Sequence, residues 1–253
     1  MLLLIDAGNT RVKWALAAPG AAAGAWLACG AALHADLDAA AAAWHGQGVT
    51  HALVSNVAGA ALRERLGALL APIDTEWFAS SAQRAGLVNG YREPERLGCD
   101  RFAAAIGARA LAPGQALVVA TAGTATTVDA VSNDGRFIGG MILPGLALMA
   151  GALAQNTAQL PQATPGAAPP PQFADNTNDA IVSGCLSAQA GAIERAVAQH
   201  GKTHSGALCI LSGGAAPYIA PALTCAHRLV DNIVLVGLHA VALAETPMGD
   251  STC

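Results

Sequence analysis

Residues 2–16 read LLLIDAGNTRVKWAL. Four apolar residues run into Asp6-Ala7-Gly8-Asn9-Thr10, after which charged and apolar residues alternate. An apolar run, a polar turn and a period of two predict a hairpin, with Leu2–Ile5 as one strand and Val12, Trp14 and Leu16 on one side of the next. Residues 116–131, ALVVATAGTATTVDAV, repeat the plan: an apolar strand meets Thr121-Ala122-Gly123-Thr124-Ala125 and a second strand follows. Gly8 and Gly123 stand 115 positions apart in a chain of 253. One supersecondary unit used twice predicts two α/β halves, residues 1–115 and 116–253, with both glycine tips at a shared cleft.

Each tip has the makings of a phosphate site. Glycine lets backbone N–H groups approach a ligand closely, and successive N–H groups in a tight turn form an anion-binding concavity. Thr10 and Thr124 add hydroxyl donors, and Lys13 adds a positive charge. Asp6, ending a buried strand, suits Mg²⁺ held through water, because Mg²⁺ takes one or two carboxylates and keeps several waters. The stretch is neither a Walker loop nor a dinucleotide fingerprint, since no Gly-x4-Gly-Lys-Ser/Thr occurs and the glycine leads to a strand, not a helix. From these residues alone, an ordinary hairpin with Asp6 opening the turn is an equal reading.

A second group lies in GYREPERLGCDRF, residues 90–102. Asp100 and Arg101 precede the helical run FAAAIGA. An aspartate here could accept the proton of a hydroxyl attacking a γ-phosphate. Arg101 could neutralise the transferred group or hold a substrate carboxylate in its planar fork. Taken by themselves, the two residues read more simply as an exposed acid–base pair at a helix start.

Hydrophobic residues make up 53% and charged residues 12%, which marks a folded chain. Thirteen Lys and Arg against 17 Asp and Glu leave a net charge of −4 and no basic footprint for nucleic acid. The uncharged stretch from 15 to 33 is rich in Ala and Gly and is broken by Pro19-Gly20, so two strands around a turn are expected rather than a membrane span. No signal peptide is visible at the N-terminus. None of Cys29, Cys99, Cys185, Cys209, Cys225 and Cys253 forms a Cys-x-x-Cys pair, so they read as small buried hydrophobes of a reduced compartment, the cytoplasm. His200 and His204 have no accompanying ligands and read as exposed residues at a helix end. Helices are expected at 36–44, 60–70, 94–111, 176–200 and 233–245, and a buried strand at 51–56. Residues 139–146 should be a strand ending at Pro-Gly with a helix after it, and 207–223 strand, glycine turn and helix. The proline-rich residues 161–175 should be a loop.

Five motifs occur in order: Asp-x-Gly-Asn-Thr-x-x-Lys (6–13), Gly-x-Asp-Arg (98–101), Gly-Thr-x-x-Thr-x-Asp (123–129), Gly-Gly-x-Ile-x-Pro-Gly (139–145) and Asn-Thr-x-x-Ala (176–180). Together they resemble the type III pantothenate kinases, of the superfamily of acetate and sugar kinases, Hsp70 and actin, over nearly the whole chain. The resemblance implies an α/β fold of two ribonuclease-H-like halves with mixed sheets flanked by helices. It implies phosphorylation of the primary hydroxyl of pantothenate by ATP with Mg²⁺, the first step toward coenzyme A. Phosphate contacts would come from Asp6, Ala7, Gly8, Asn9, Thr10, Arg11, Val12 and Lys13, and from Thr124. Asp100 would be the proton acceptor. Tyr91, Gly98, Cys99, Asp100 and Arg101 would contact pantothenate, and Thr177 would reach it from the partner subunit of a homodimer. Gly213-Gly214 is expected near the adenine. Many members carry an aspartate where this chain has Thr121, and there it helps bind a monovalent cation. K⁺ or NH₄⁺ would find no carboxylate at this position, although backbone carbonyls could complete a weak site. Two rivals share the fold: an ATP-binding regulator or chaperone-like module, which needs no acceptor base, and a phosphohydrolase, in which water replaces the alcohol.

Overall fold

The computed structural model describes residues 1–166, 168–204 and 206–245; Ala167 of the proline-rich stretch and Cys253 lie outside the described residues. In chain order the elements are β1 (Leu2–Ala7), β2 (Arg11–Ala17), β3 (Ala28–Leu33), α1 (Leu37–Ala41), β4 (His51–Asn56), α2 (Ala60–Leu70), β5 (Asp74–Trp77), β6 (Gln83–Arg84), β7 (Leu87–Asn89) and α3 (Cys99–Leu111). There follow β8 (Leu117–Ala122), β9 (Ala125–Val131), β10 (Arg136–Pro144), α4 (Leu146–Asn156), α5 (Thr177–Gly201), β11 (Leu208–Ser212), α6 (Ala216–Ile219), β12 (His227–Leu229) and α7 (Ile233–Glu245). Contacts group them into two compact units. The first holds Met1–Pro113, Gly135–Phe137 and the chain from Asn232, and the second holds Gly114–Asp134 and Ile138–Asp231.

The first unit is built on a mixed sheet of order β3-β2-β1-β4-β5, antiparallel from β3 to β1 and parallel from β1 to β5. Leu3, Ile5, Val12, Trp14 and Leu16 join Leu37, Leu62, Leu66 and Leu70 in one core, where Trp14 meets Trp44 edge to face at 6.2 Å. Leu4, on the opposite face of β1, is fully buried as well. Covering both faces explains why residues 2–5 are an unbroken apolar run. Helices α3 and α7 also pack within this unit. They cross backbone to backbone at Gly107 and Gly237, where a methyl group on Gly237 would overlap the main chain of Ala103. The short strands β6 and β7 form a hairpin, and β7 runs parallel to Arg136 and Phe137.

The second unit repeats the topology. Its strands lie in the order β10-β9-β8-β11-β12, with β8 antiparallel to β9 and parallel to β11, which is parallel to β12. The repeat of the two glycine hairpins is therefore a repeat of whole sheets. Val118, Ala120 and Val128 pack against Leu146 of α4 and Ile181, Leu186 and Ile193 of α5.

Several expectations need correction. Residues 94–111 are not one helix: Pro94–Arg96 make a 3₁₀ turn, Leu97 and Gly98 are extended, and α3 starts at Cys99. The helix expected at 36–44 shortens to a 3₁₀ turn at His34–Asp36 and then α1. His200 is not an exposed helix-end residue. It is buried, its Nε2 is 3.0 Å from the Val131 carbonyl, and its ring lies 4.5 Å from that of His204. Cys185 and Cys209 are buried as expected, but Cys29 is exposed and Cys99 and Cys225 are half-buried. Residues 15–33 end β2 and form β3, and among the described residues no helix is long and apolar enough to cross a membrane.

Candidate active site

Parallel pairing of β1 with β4 sets Asp6 opposite Ser55 and Ala7 opposite Asn56, so both strands end in polar residues at one sheet edge. Beyond them the chain turns through Gly8–Arg11, closed by the Gly8 N–H donating to the Arg11 carbonyl at 3.1 Å. Asn9, Thr10 and Arg11 are exposed at the tip, while Ala7 and Val12 are buried beneath it and offer only backbone groups. The Gly8 carbonyl is 2.9 Å from His34 Nε2.

The first turn of α3 docks on the end of β4. Cys99 Sγ lies 3.3 Å from Ser55 Oγ and donates to the Asn56 carbonyl at 3.7 Å. That thiol is thus turned toward the end of β4. Asp100 follows it, its Oδ1 accepting from the Arg101 N–H at 2.8 Å. A side chain at Gly98 would stand 2.8 Å from that oxygen, so glycine leaves the carboxylate its space.

Asp6 and Asp100 are both half-buried, and the charge of Asp100 raises the cost of ionising Asp6. Burial lifts Asp6 from 3.8 to about 6, opposed by the charge of Lys13 and reinforced by Asp100. Burial also lifts Asp100, opposed by the Arg101 N–H and guanidinium. A partly desolvated carboxylate such as Asp6 suits a divalent cation, whose charge favours the ionised form. Among the described residues no group of three or more His, Cys, Asp and Glu could hold a metal by itself, so such an ion would draw on phosphate oxygens.

Arg101 is buried, donates from Nη1 to the Tyr91 hydroxyl at 3.0 Å, and lies over the rings of Tyr91 and Phe137. The first unit thus gathers Asp6, Lys13, Tyr91 and Gly98–Arg101, which lie far apart in sequence. Sequence reasoning missed Ser55 and Asn56, although the polar end of HALVSN parallels the Asp6 end of β1.

In the second unit the β8–β9 tip is closed by the Gly123 N–H donating to the Ala125 carbonyl at 3.0 Å, with Thr124 exposed. Gly145 N–H donates to the Thr124 carbonyl, and Ala215 N–H to that of Ala122, which sets Gly213-Gly214 beside this tip. Thr121 lies between Thr127 and Ser212 in register, and its buried hydroxyl has no hydrogen-bond partner. Thr177 opens α5, capped by the Asn176 side chain, which accepts from the Asp179 N–H at 3.0 Å. It is exposed on the rim of a cavity of about 870 Å³ lined by Met149, Leu153, Leu160, Ile181 and Cys185.

Known proteins match this arrangement throughout. The solved structure of a protein described as a Baf family transcriptional activator from Campylobacter jejuni covers 95% of the chain, and is itself covered over 97%, with a TM-score of 0.63 and 19% identity. One described as a 2-dehydro-3-deoxygalactonokinase from Sinorhizobium meliloti covers 98%, and is covered over its full length, with a TM-score of 0.61 and 18% identity. At such identities they show the fold alone. Sequence goes further. A type III pantothenate kinase of Herminiimonas arsenicoxydans is 56% identical over 256 residues, covering 98% of this chain and 99% of its own. The family model for type III pantothenate kinase matches residues 2–199. The matched span holds both glycine hairpins, the Asp100 turn and the start of α5, and the chain belongs to the type III pantothenate kinases.

Proposed function

We propose that this kinase transfers the γ-phosphoryl group of ATP to the primary hydroxyl of pantothenate, giving 4′-phosphopantothenate, with Asp100 as the proton acceptor. The observation that carries the residue assignment is the docking of the α3 first turn on Ser55 of β4, the residue paired with Asp6 of β1, with Arg101 in that turn bound to Tyr91.

The backbone N–H groups of the 8–11 turn, the Thr10 hydroxyl and Lys13 bind the phosphates of ATP, and Thr124 adds a donor from the second tip. Asp6 would hold Mg²⁺ through water. Mg²⁺, when bound, supplies neutralising charge to the phosphate oxygens. Arg101 and Tyr91 hold the carboxylate end of pantothenate, which orients its hydroxyl toward Asp100. Asp100 takes the hydroxyl proton as the new O–P bond forms, and its raised affinity for protons suits it to that role. Orientation carries most of the rate, because phosphoryl transfer passes through a loose transition state. No carboxylate at Thr121 anchors K⁺ or NH₄⁺, so any such ion would rest on backbone carbonyls.

Thr177 completes the acceptor site from a second copy of the chain. Phe173, which directly precedes Ala174 of the apolar cavity that Thr177 borders, is 93% exposed, and a second copy would cover such a surface. The five described cysteines are free thiols, in keeping with the cytoplasm. ADP formation from MgATP, with and without pantothenate, tests the reading. A kinase needs pantothenate, a phosphohydrolase releases phosphate without it, and a nucleotide-binding module forms no ADP in proportion to it.

A further inference from the structure

We infer that Asn89 is a positioning residue for the acceptor segment, holding Tyr91 and the 3₁₀ turn at Pro94 in place so that Arg101 meets the acceptor's carboxylate. The inference rests on the reading that residues 91–101 bind pantothenate.

Asn89 ends β7 and is 6% exposed. Its side chain joins three stretches of chain. Oδ1 accepts from the Tyr91 N–H at 3.0 Å, and Nδ2 donates to the Ser81 carbonyl at 3.1 Å and the Pro94 carbonyl at 3.0 Å. Two carbonyls and one N–H as partners fix which end of the amide is nitrogen. The main chain at this point is anchored as well: Asn89 N–H donates to the Ala82 carbonyl at 2.8 Å and Gly90 N–H to that of Phe137 at 2.9 Å. Beyond Tyr91 the segment is mostly surface. Arg92, Glu93, Glu95 and Arg96 are exposed, and Leu97 is the one fully buried side chain from Tyr91 to Gly98. Little packing therefore holds the segment, and the Asn89 amide supplies order that a hydrophobic contact would supply elsewhere.

The order is transmitted to the site. Tyr91 receives the Arg101 Nη1 hydrogen bond on its hydroxyl and stands edge-on to Phe137 at 5.9 Å. Shifting the Tyr91 backbone moves that hydroxyl and so displaces one of the contacts that orient the Arg101 guanidinium. Misplacement of a binding group by about 1 Å costs on the order of a hundredfold in a preorganised site. The Asn89 side-chain hydrogen bonds go to Tyr91, Ser81 and Pro94, all in or beside the acceptor segment, so the effect should fall on the acceptor and not on ATP.

The test compares Asn89→Ala and Asn89→Asp with the unaltered chain. Aspartate is isosteric and keeps the acceptor for Tyr91 N–H, but it turns an oxygen on the Ser81 and Pro94 carbonyls. Either variant should raise KM for pantothenate on the order of tenfold, as expected when buried partners are left unmade, with KM for MgATP within about twofold of its original value. Amide hydrogen exchange should quicken across residues 90–98 and stay unchanged in α2. General loss of folding would instead lower apparent kcat with both KM values unmoved. Parallel rises in both KM values, or unchanged exchange across 90–98, would overturn the inference. Should the unaltered chain form no pantothenate-dependent ADP, the functional reading fails, while hydrogen exchange still decides whether Asn89 orders the segment.

Discussion

At the residue scale, two half-buried carboxylates are proposed to have different tasks. Asp100→Asn removes the proposed proton acceptor and leaves its shape, so turnover should fall by about 10²–10⁴-fold without loss of folding. The loose transition state favours the lower end. Steady-state kinetics on a folded variant checks this, and near-normal turnover would place the proton acceptor elsewhere. Asp6 is governed by its lost hydration. Its pKa rises from 3.8 to about 6 on folding, so between those values the folded chain binds a proton that the unfolded chain has released. The associated stabilisation is complete in acid and is lost as pH rises through about 6. Asp6→Asn should therefore raise the melting temperature of the ligand-free protein at pH 8, a gain that fades toward pH 4. The same change should weaken MgATP binding. Melting curves across pH, alongside KM for MgATP, measure both effects, and a destabilised variant at pH 8 would contradict the charge argument.

At the element scale, the crossing of α3 with α7 decides how a glycine responds to substitution. Helix propensity alone favours alanine over glycine by about 1 kcal/mol. At Gly237 the added methyl group meets the main chain of Ala103, which cannot rotate away. Overpacking of this kind costs about 1–3 kcal/mol and should win. Gly237→Ala should lower the denaturant midpoint, and turnover should fall with it, because α3 carries Asp100. Gly191 on α5 is the contrast: it is exposed and a methyl group there meets nothing within 4 Å. Gly191→Ala should stabilise by about 0.5–1 kcal/mol. Equal responses at the two positions in a urea titration would mean that the crossing is looser than its geometry.

At the scale of the whole molecule, two copies of one topology form the kinase, and the acceptor site is proposed to draw on two chains. A dimer mixing Asp100→Asn and Thr177→Ala subunits carries one site with both native groups. Two inactive homodimers should therefore regain part of the activity when their subunits are exchanged. No regain in a mixed dimer verified by mass would count against a site shared between chains.

Much of the fold was legible because its signals are local. The hairpin at residues 2–16, its repeat at 116–131, strand 51–56 and helices 60–70 and 233–245 each carry their own periodicity or turn chemistry, and each lies where expected. Strands β6, β7 and β12, of two or three residues, are too short to show a period. The helix start at Cys99 depended on extended backbone at Leu97 and Gly98, which Pro94 and the following charges did not foretell. Motif order pointed to Asp6, Asp100 and Arg101 but was silent on what holds them. Ser55 meets Cys99 across 44 positions, and His200 reaches Val131 across 69. By itself the sequence determined the hairpins, the duplication and the chemical groups at the tips, because each depends on neighbours a few residues away. Only the tertiary structure decided which helix turn docks on the end of β4, which thiol turns inward and which amide bridges residues 81, 91 and 94. Those outcomes depend on burial and hydrogen bonding among residues that chain neighbours do not bring together.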